Sequence, residues 1–136
     1  MTEFNRVERY LASMAADILA ADDEVDIREM VRLSLSDEFD VKAAENGEEA
    51  WEYLRAHQAS LPKVVILDVM MPEIDGFSVL ERIREHAETQ DVPVIMLTSR
   101  SREEDIVRAL EAGADDFLAK PFNKSELKGR VQQTLD

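Results

Sequence analysis

The sequence contains no cysteine and no long apolar segment, and these two absences exclude several kinds of protein. Without cysteine there can be no disulfide, no thiolate metal ligand and no thiol nucleophile. No apolar run approaches the about 18 residues that a membrane helix requires. The first ten residues, MTEFNRVERY, also lack the apolar centre of a signal peptide. We therefore expect a cytoplasmic protein with no membrane contact.

Basic residues are scarce: sixteen Lys and Arg stand against thirty Asp and Glu, which gives a formal net charge of -14. Such a surface repels phosphate backbones and anionic lipids, so we expect no nucleic-acid or membrane binding by this chain. With 136 residues, of which 45% are hydrophobic, the chain is long enough for one compact domain with its own core.

Short apolar runs alternate with amphipathic segments along most of the chain. The apolar runs are residues 18–21, 41–44, 64–67, 94–97 and 117–119. The helical patterns are residues 25–36, 48–57, 77–86, 103–112 and 125–135. Strict alternation of this kind predicts an α/β fold with a five-stranded, parallel, doubly wound sheet that is flanked by five helices.

Polar residues end or follow four of the five apolar runs, and ligands of doubly wound sheets bind at the carboxyl ends of the strands. These residues are Asp22, Asp23, Asp68, Thr98 and Lys120. Each could have an ordinary role. Asp23 could cap the helix that begins near residue 25, Thr98 could be a turn residue, and Lys120 could be a solvated base.

The three aspartates fit a metal site better than three separate roles. If the strand order is 2-1-3-4-5, the first and third strands are neighbours about 5 Å apart. Asp22, Asp23 and Asp68 would then form one cluster, and carboxylates in contact repel one another unless a cation joins them. Mg²⁺ suits a few carboxylates that leave room for water and phosphate oxygens, so we expect it as the cofactor.

From residue 18 to the end, the sequence resembles the receiver (REC) domain of two-component response regulators. The matching stretches are ILAADDE, VVILDVMMPEIDG, VPVIMLTS and ALEAGADDFLAKPF, followed by a terminal amphipathic helix. Their order and separations all fit that family. The resemblance implies a flavodoxin-like fold over residues 17–136 and a signalling role in which a histidine kinase or phosphotransfer protein is the partner.

The resemblance also assigns the site residues. Asp68 would accept the phosphoryl group. Asp23 and Asp68 would bind Mg²⁺ directly, Asp22 would act mainly through a water, and the backbone carbonyl of Met70 would be a further ligand. Lys120 would pair with Asp68 at rest and with the phosphoryl group afterwards.

Thr98 and Phe117 would form the family's switch pair. The Thr98 hydroxyl would move to the phosphoryl group and Phe117 would turn into the vacated space, which changes the surface of helix 4, strand 5 and helix 5. The peptide bond between Lys120 and Pro121 would be cis, as in the family. Asp116 and Arg130 match one ion pair through which receivers of winged-helix regulators form homodimers. Ile106 stands where helix 4 of those receivers usually carries the base that meets the acid at Glu126, so a weaker or different partner surface is the alternative.

An alternative function is a phosphatase-like enzyme with an aspartyl-phosphate intermediate. Such phosphatases usually carry a second acid two residues after the nucleophile, where this chain has Met70. The receiver reading instead implies a protein that catalyses only its own phosphorylation and autodephosphorylation.

Residues 1–16 precede the part that resembles a receiver. Phe4, Val7, Leu11 and Met14 are spaced by three, four and three residues, which predicts an extra amphipathic helix. A helix this short needs a surface to pack on. It could pack on its own domain or pair with the same helix of a second chain, or the segment could be a disordered tail.

Overall fold

The computed structural model describes residues 6–7, 15–99 and 103–136 of the chain. Within these residues five strands alternate with five helices. The strands are β1 (Ile18–Ala21), β2 (Val41–Ala44), β3 (Val64–Asp68), β4 (Val94–Thr98) and β5 (Asp116–Ala119). The helices are α1 (Val25–Leu35), α2 (Gly47–Ala56), α3 (Gly76–Glu85), α4 (Glu103–Glu111) and α5 (Lys124–Leu135). The alternation predicted from the apolar runs is confirmed.

The strands form one parallel sheet in the predicted order β2-β1-β3-β4-β5. Every residue of β1, β3 and β4 is buried, as expected for strands that are covered on both faces. Because all five strands run in the same direction, their carboxyl ends meet at one edge of the sheet. The first and third strands are neighbours there, as the metal-site prediction requires.

Side chains of each central strand alternate between two apolar cores. In β1, Leu19 and Ala21 enter the first core, whereas Ile18 and Ala20 enter the second. Helices α2, α3 and α4 supply buried side chains to the first core, and α1 and α5 supply them to the second. The helices therefore lie on both faces of the sheet, which leaves its carboxyl edge for the site.

Three helices begin with a side-chain cap. The carboxamide or carboxylate oxygens of Asn46, Asp75 and Asn123 each accept a hydrogen bond of 2.8 Å from the backbone N–H three residues later. Helix α1 differs, because its N-cap residue, Glu24, makes no side-chain cap hydrogen bond. The Glu24 side chain lies instead near the acidic residues of the functional site described below.

The predicted N-terminal helix lies mostly outside the described residues. Of the four residues in its apolar stripe, only Val7 is described; it is helical, and 50% of its surface is exposed. The extra helix, and the domain boundary between residues 16 and 17, therefore stay predictions. Among the described helices, none combines the length and the apolar character that a membrane-spanning segment needs.

Candidate functional site

Two buried aspartates lie side by side at the carboxyl edge of the sheet. The register pairs Ala21 of β1 with Leu67 of β3, so the next residues, Asp22 and Asp68, occupy neighbouring positions. The backbone N–H of Asp22 donates to the carbonyl of Ala44 at 3.1 Å, which extends the hydrogen bonding of β1 by one residue. Asp22 is 3% exposed and Asp68 is 2% exposed. The sheet itself therefore fixes both carboxylates.

Lys120 follows the edge strand β5, and its side chain extends to the two aspartates. Its backbone N–H donates to the carbonyl of Thr98 at 2.7 Å. Its side chain is 9% exposed, and its Nζ lies 2.7 Å from Oδ2 of Asp22 and 3.4 Å from Oδ2 of Asp68. The predicted pairing with Asp68 is present, but the shorter contact is with Asp22, so the ammonium bridges both carboxylates. The bond between Lys120 and Pro121 is cis, as predicted.

Four acidic residues meet around this lysine. One carboxylate oxygen from each of Asp22, Asp23, Glu24 and Asp68 lies within 4.8 Å of the others. The N-cap of α1 is Glu24, so the alternative role of Asp23 as the helix cap is not observed. Glu24 was not among the site residues predicted from the sequence, although it completes a run of three consecutive acids, Asp22 to Glu24.

Burial and charge shift the proton affinities of the central groups. Burial, and next the neighbouring charge of Asp22, raise the pKa of Asp68 to about 6, although Lys120 opposes this shift. Burial lowers the pKa of Lys120, but the hydrogen bond that its ammonium donates to Asp22 and the charge of Asp68 raise it above its ordinary value. At neutral pH most molecules therefore carry an ionised Asp68, which is the form that can act as a nucleophile.

The loop after β3 folds back against Asp68. The backbone N–H of Met70 lies 3.3 Å from Oδ1 of Asp68, and the N–H of Gly76 donates to the carbonyl of Val69 at 2.9 Å. A Cβ atom at Gly76 would stand 2.3 Å from the backbone oxygen of Asp68. Only glycine therefore allows α3 to start this close to the end of β3.

The two predicted switch residues lie on neighbouring strands. Thr98 is the last residue of β4 and is 0% exposed, and it pairs in the ladder with Ala119. Phe117 is the second residue of β5, is partly buried and packs against the first core. Phe117 thus lies on the strand that precedes Lys120, and Thr98 ends the neighbouring strand at the carboxyl edge of the sheet.

The donor set suits a hard divalent cation. The four clustered side chains offer only carboxylate oxygens as ligands. Among the described residues, they form the one group of acidic or histidine side chains whose ligand atoms are close enough together to hold a metal ion. When all four are ionised, a single ammonium leaves three negative charges uncompensated. A cation with oxygen preference would remove most of this repulsion, and Mg²⁺ is such a cation.

The sequence matches the model of the response regulator receiver domain over residues 18–132. The chain belongs to this family. The relationship agrees with the parallel sheet order and with the cluster of acids beside a lysine at its carboxyl edge. Receiver domains are signalling modules, so the phosphatase-like alternative is not favoured.

The chain spans about half the length of the curated relatives that it matches. Response regulator Rre1 of Synechocystis is 42% identical over 120 residues, which are 87% of this chain and 51% of the relative. Response regulator GtcR of Aneurinibacillus migulanus is 41% identical over 90% of this chain and 48% of its own length. Transcriptional regulatory protein SrrA of Staphylococcus aureus is 39% identical over 90% of this chain and 48% of its own length.

Two solved structures are similar to this chain over nearly their full length. The chemotaxis protein CheY4 of Vibrio cholerae is 33% identical with a TM-score of 0.80, and the match covers 87% of this chain and 97% of that one. The receiver domain of NtrX from Brucella abortus is 33% identical with a TM-score of 0.79, over 88% and 98% of the two chains. The fold of this receiver is therefore shared with both.

Proposed function

We propose that this receiver domain is controlled by phosphorylation of Asp68. The observation that carries the proposal is the position of this carboxylate, which is buried at the end of β3 and lies 3.4 Å from the ammonium of Lys120. A nucleophile held in this way is aimed before the phosphoryl donor arrives, and the nearby cation can stabilise the charge that develops on the phosphoryl oxygens.

The donor is the phosphohistidine of a histidine kinase or phosphotransfer protein. An oxygen of Asp68 attacks phosphorus, a P–O bond forms, and the P–N bond to the imidazole breaks. The imidazole nitrogen keeps the electron pair of that bond and is then protonated. Lys120 follows the charge from the carboxylate to the phosphoryl oxygens, which its mobile ammonium can do without a large backbone movement.

Asp22, Asp23 and Asp68, with the backbone carbonyl of Met70, are the residues that would hold Mg²⁺ in this receiver. The bound cation supplies charge neutralisation between the acids and the incoming phosphoryl group. Asp22 has two further tasks in the chain itself. It accepts hydrogen bonds from Lys120 at 2.7 Å and from the backbone N–H of Glu24 at 2.9 Å, so it orients both neighbours.

Phosphorylation is transmitted through Thr98 and Phe117 to the surface of α4, β5 and α5. The packing of α4 supports this route, because Ala109 is its single buried side chain among the described residues. A helix held by little buried surface costs little to move. Arg108 of α4 lies over the ring of Phe77, with 4.1 Å between the guanidinium carbon and the ring centroid, and this contact links α4 to the start of α3.

The output of the protein includes a homodimer through the face that carries Asp116 and Arg130. In the single chain these residues pair with each other, with Nη1 of Arg130 2.9 Å from Oδ1 of Asp116. Exposed ion pairs of this kind contribute only about 0 to 1 kcal/mol. Replacing the pair within one chain by pairs between two chains therefore costs little free energy. Pairing through the helix predicted for residues 1–16 is the second route to a dimer.

Intact-mass spectrometry with acetyl phosphate and Mg²⁺ tests the central proposal. The wild-type chain should gain the mass of one phosphoryl group, and a chelator should prevent this gain. Asp68→Asn should gain nothing, whereas Asp91→Asn, which removes an exposed aspartate before β4, should behave like the wild type. Persistent labelling of Asp68→Asn would disprove the assignment.

A further inference from the structure

The side chain of Glu24 is largely exposed, yet its carboxylate belongs to the cluster of acidic residues. Its side chain is 64% exposed, yet Oε1 lies 3.7 Å from Nζ of the buried Lys120. One of its oxygens also lies within 4.8 Å of oxygens from Asp22, Asp23 and Asp68. The Glu24 carboxylate thus lies where the buried site meets solvent.

The backbone of Glu24 is fixed on both sides. Its N–H donates to Oδ1 of Asp22 at 2.9 Å, and its carbonyl accepts from the N–H of Arg28 at 3.0 Å, which is the first hydrogen bond of α1. Its side chain makes no cap hydrogen bond, although it occupies the N-cap position. The base of the side chain is therefore held in place while its carboxylate points to the cluster.

We propose that Glu24 is an additional acidic residue of the divalent-cation site and binds the hydration shell of the cation rather than the cation itself. This inference rests on the proposed Mg²⁺-dependent function. Asp23 and Asp68 have short side chains next to the sheet edge and suit direct ligation, whereas Asp22 would act mainly through a water. Mg²⁺ retains several of its waters in such sites, and these waters donate to outer carboxylates.

The same contact gives Glu24 a second effect on the metal-free site. Together with Asp22 and Asp68, it holds the ammonium of Lys120 between the acids. Glu24 also adds a fourth negative charge that a divalent cation can relieve. The residue therefore favours cation binding by attraction, and its removal should weaken binding without disturbing the core, since the side chain is exposed.

Isothermal titration with MgCl₂ alone measures this effect without any phosphoryl donor. Because exposed charge interactions are weak and the cation carries two charges, Glu24→Gln should raise the Kd for Mg²⁺ about three- to tenfold. The matched control is Glu85→Gln, the same exchange at the last residue of α3, which lies at the opposite edge of the sheet. Its Kd should change less than about 1.5-fold, since charges this far apart are largely screened.

Thermal unfolding provides a second measurement on the same variants. Added MgCl₂ should raise the melting temperature of the wild type and of Glu85→Gln more than that of Glu24→Gln, while all three melt alike in a chelator. If Glu24→Gln and Glu85→Gln bind Mg²⁺ equally well, the inference about Glu24 is wrong. Phosphorylation of Asp68 in that case would still stand, because the mass measurement tests it separately.

Discussion

Replacement of Asp68 by asparagine should stabilise the metal-free domain, because the native carboxylate is ionised in an unfavourable environment. Burial and the charge of Asp22 raise its pKa from 3.8 to about 6. Asparagine keeps the shape of the side chain and removes the charge. Lys120 keeps two carboxylate partners in the variant, Asp22 at 2.7 Å and Glu24 at 3.7 Å.

The sign and size of the effect follow from proton linkage. Between pH 3.8 and about 6 the folded chain binds a proton that the unfolded chain has lost, so stability falls as pH rises through this window. A shift of about two units corresponds to a cost of about 3 kcal/mol above pH 7 and about 1.5 kcal/mol at pH 5. This cost already includes the attraction of Lys120, which lowers the pKa of Asp68. Because the asparagine amide also differs from a protonated acid in its contact with Lys120, we expect a net stabilisation of about 1 to 3 kcal/mol at pH 8.

Urea denaturation followed by circular dichroism, in a chelator and from pH 5 to pH 8, measures this difference. This range stays above the isoelectric point of about 4.5. The gain from Asp68→Asn should be about twice as large at pH 8 as at pH 5. Glu85→Gln, which removes an exposed charge at the other edge of the sheet, should shift stability by less than about 0.5 kcal/mol at either pH.

Two outcomes would refute the reasoning. The first is a variant that is no more stable than the wild type at pH 8, which would mean that Lys120 already compensates the charge of Asp68. The second is a stabilisation that is the same at pH 5 and pH 8, which would mean that the gain does not come from the ionisation of Asp68. Addition of Mg²⁺ should reduce the difference, because the cation would relieve the repulsion in the wild type.

Two further predictions concern the loop after β3 and the proposed dimer face around Asp116 and Arg130. Gly76→Ala should lower the free energy of unfolding by about 2 to 3 kcal/mol, since its Cβ would stand 2.3 Å from the backbone oxygen of Asp68. Gly129→Ala in α5, where nothing lies within 4 Å of the added Cβ, should raise the free energy of unfolding by about 0.5 to 1 kcal/mol. Urea denaturation measures both variants. Equal effects of the two substitutions would contradict the close approach at Gly76. With Mg²⁺ and beryllofluoride, light scattering should show a dimer of the wild type and a monomer of Arg130→Glu, because the variant cannot pair with Asp116. A wild-type chain that stays monomeric under these conditions would count against this dimer face.

Several features of the site were predictable because they depend on local patterns. The apolar runs and helical periodicities predict strands and helices that alternate strictly along the chain. Such alternation is typical of a parallel sheet with helices on its faces. Parallel strands bring their carboxyl ends to one edge, so Asp22, Asp68 and Thr98 had to lie at the same edge of the sheet. None of this required knowledge of side-chain contacts.

Other features depended on distances between residues that are far apart along the chain. Lys120 and Asp22 are separated by 98 positions, and their hydrogen bond results from the register of β4 and β5 and the path of the chain after Ala119. The resemblance predicted Asp68 as the partner, but side-chain packing brought the ammonium closer to Asp22. Periodicity carries no information on such a choice.

Sequence alone therefore determined the strand and helix order and the position of Asp68 at the end of the third strand, and the resemblance to receivers made Asp68 the candidate acceptor. The tertiary structure decided how the charges are paired at that edge. It brought Glu24 into the cluster because Asp22 accepts a hydrogen bond from its backbone N–H, and it gave Lys120 two buried partners. Local patterns record which residues neighbour each other along the chain, whereas the pairing of charges depends on distances of a few ångströms that only the packed sheet sets.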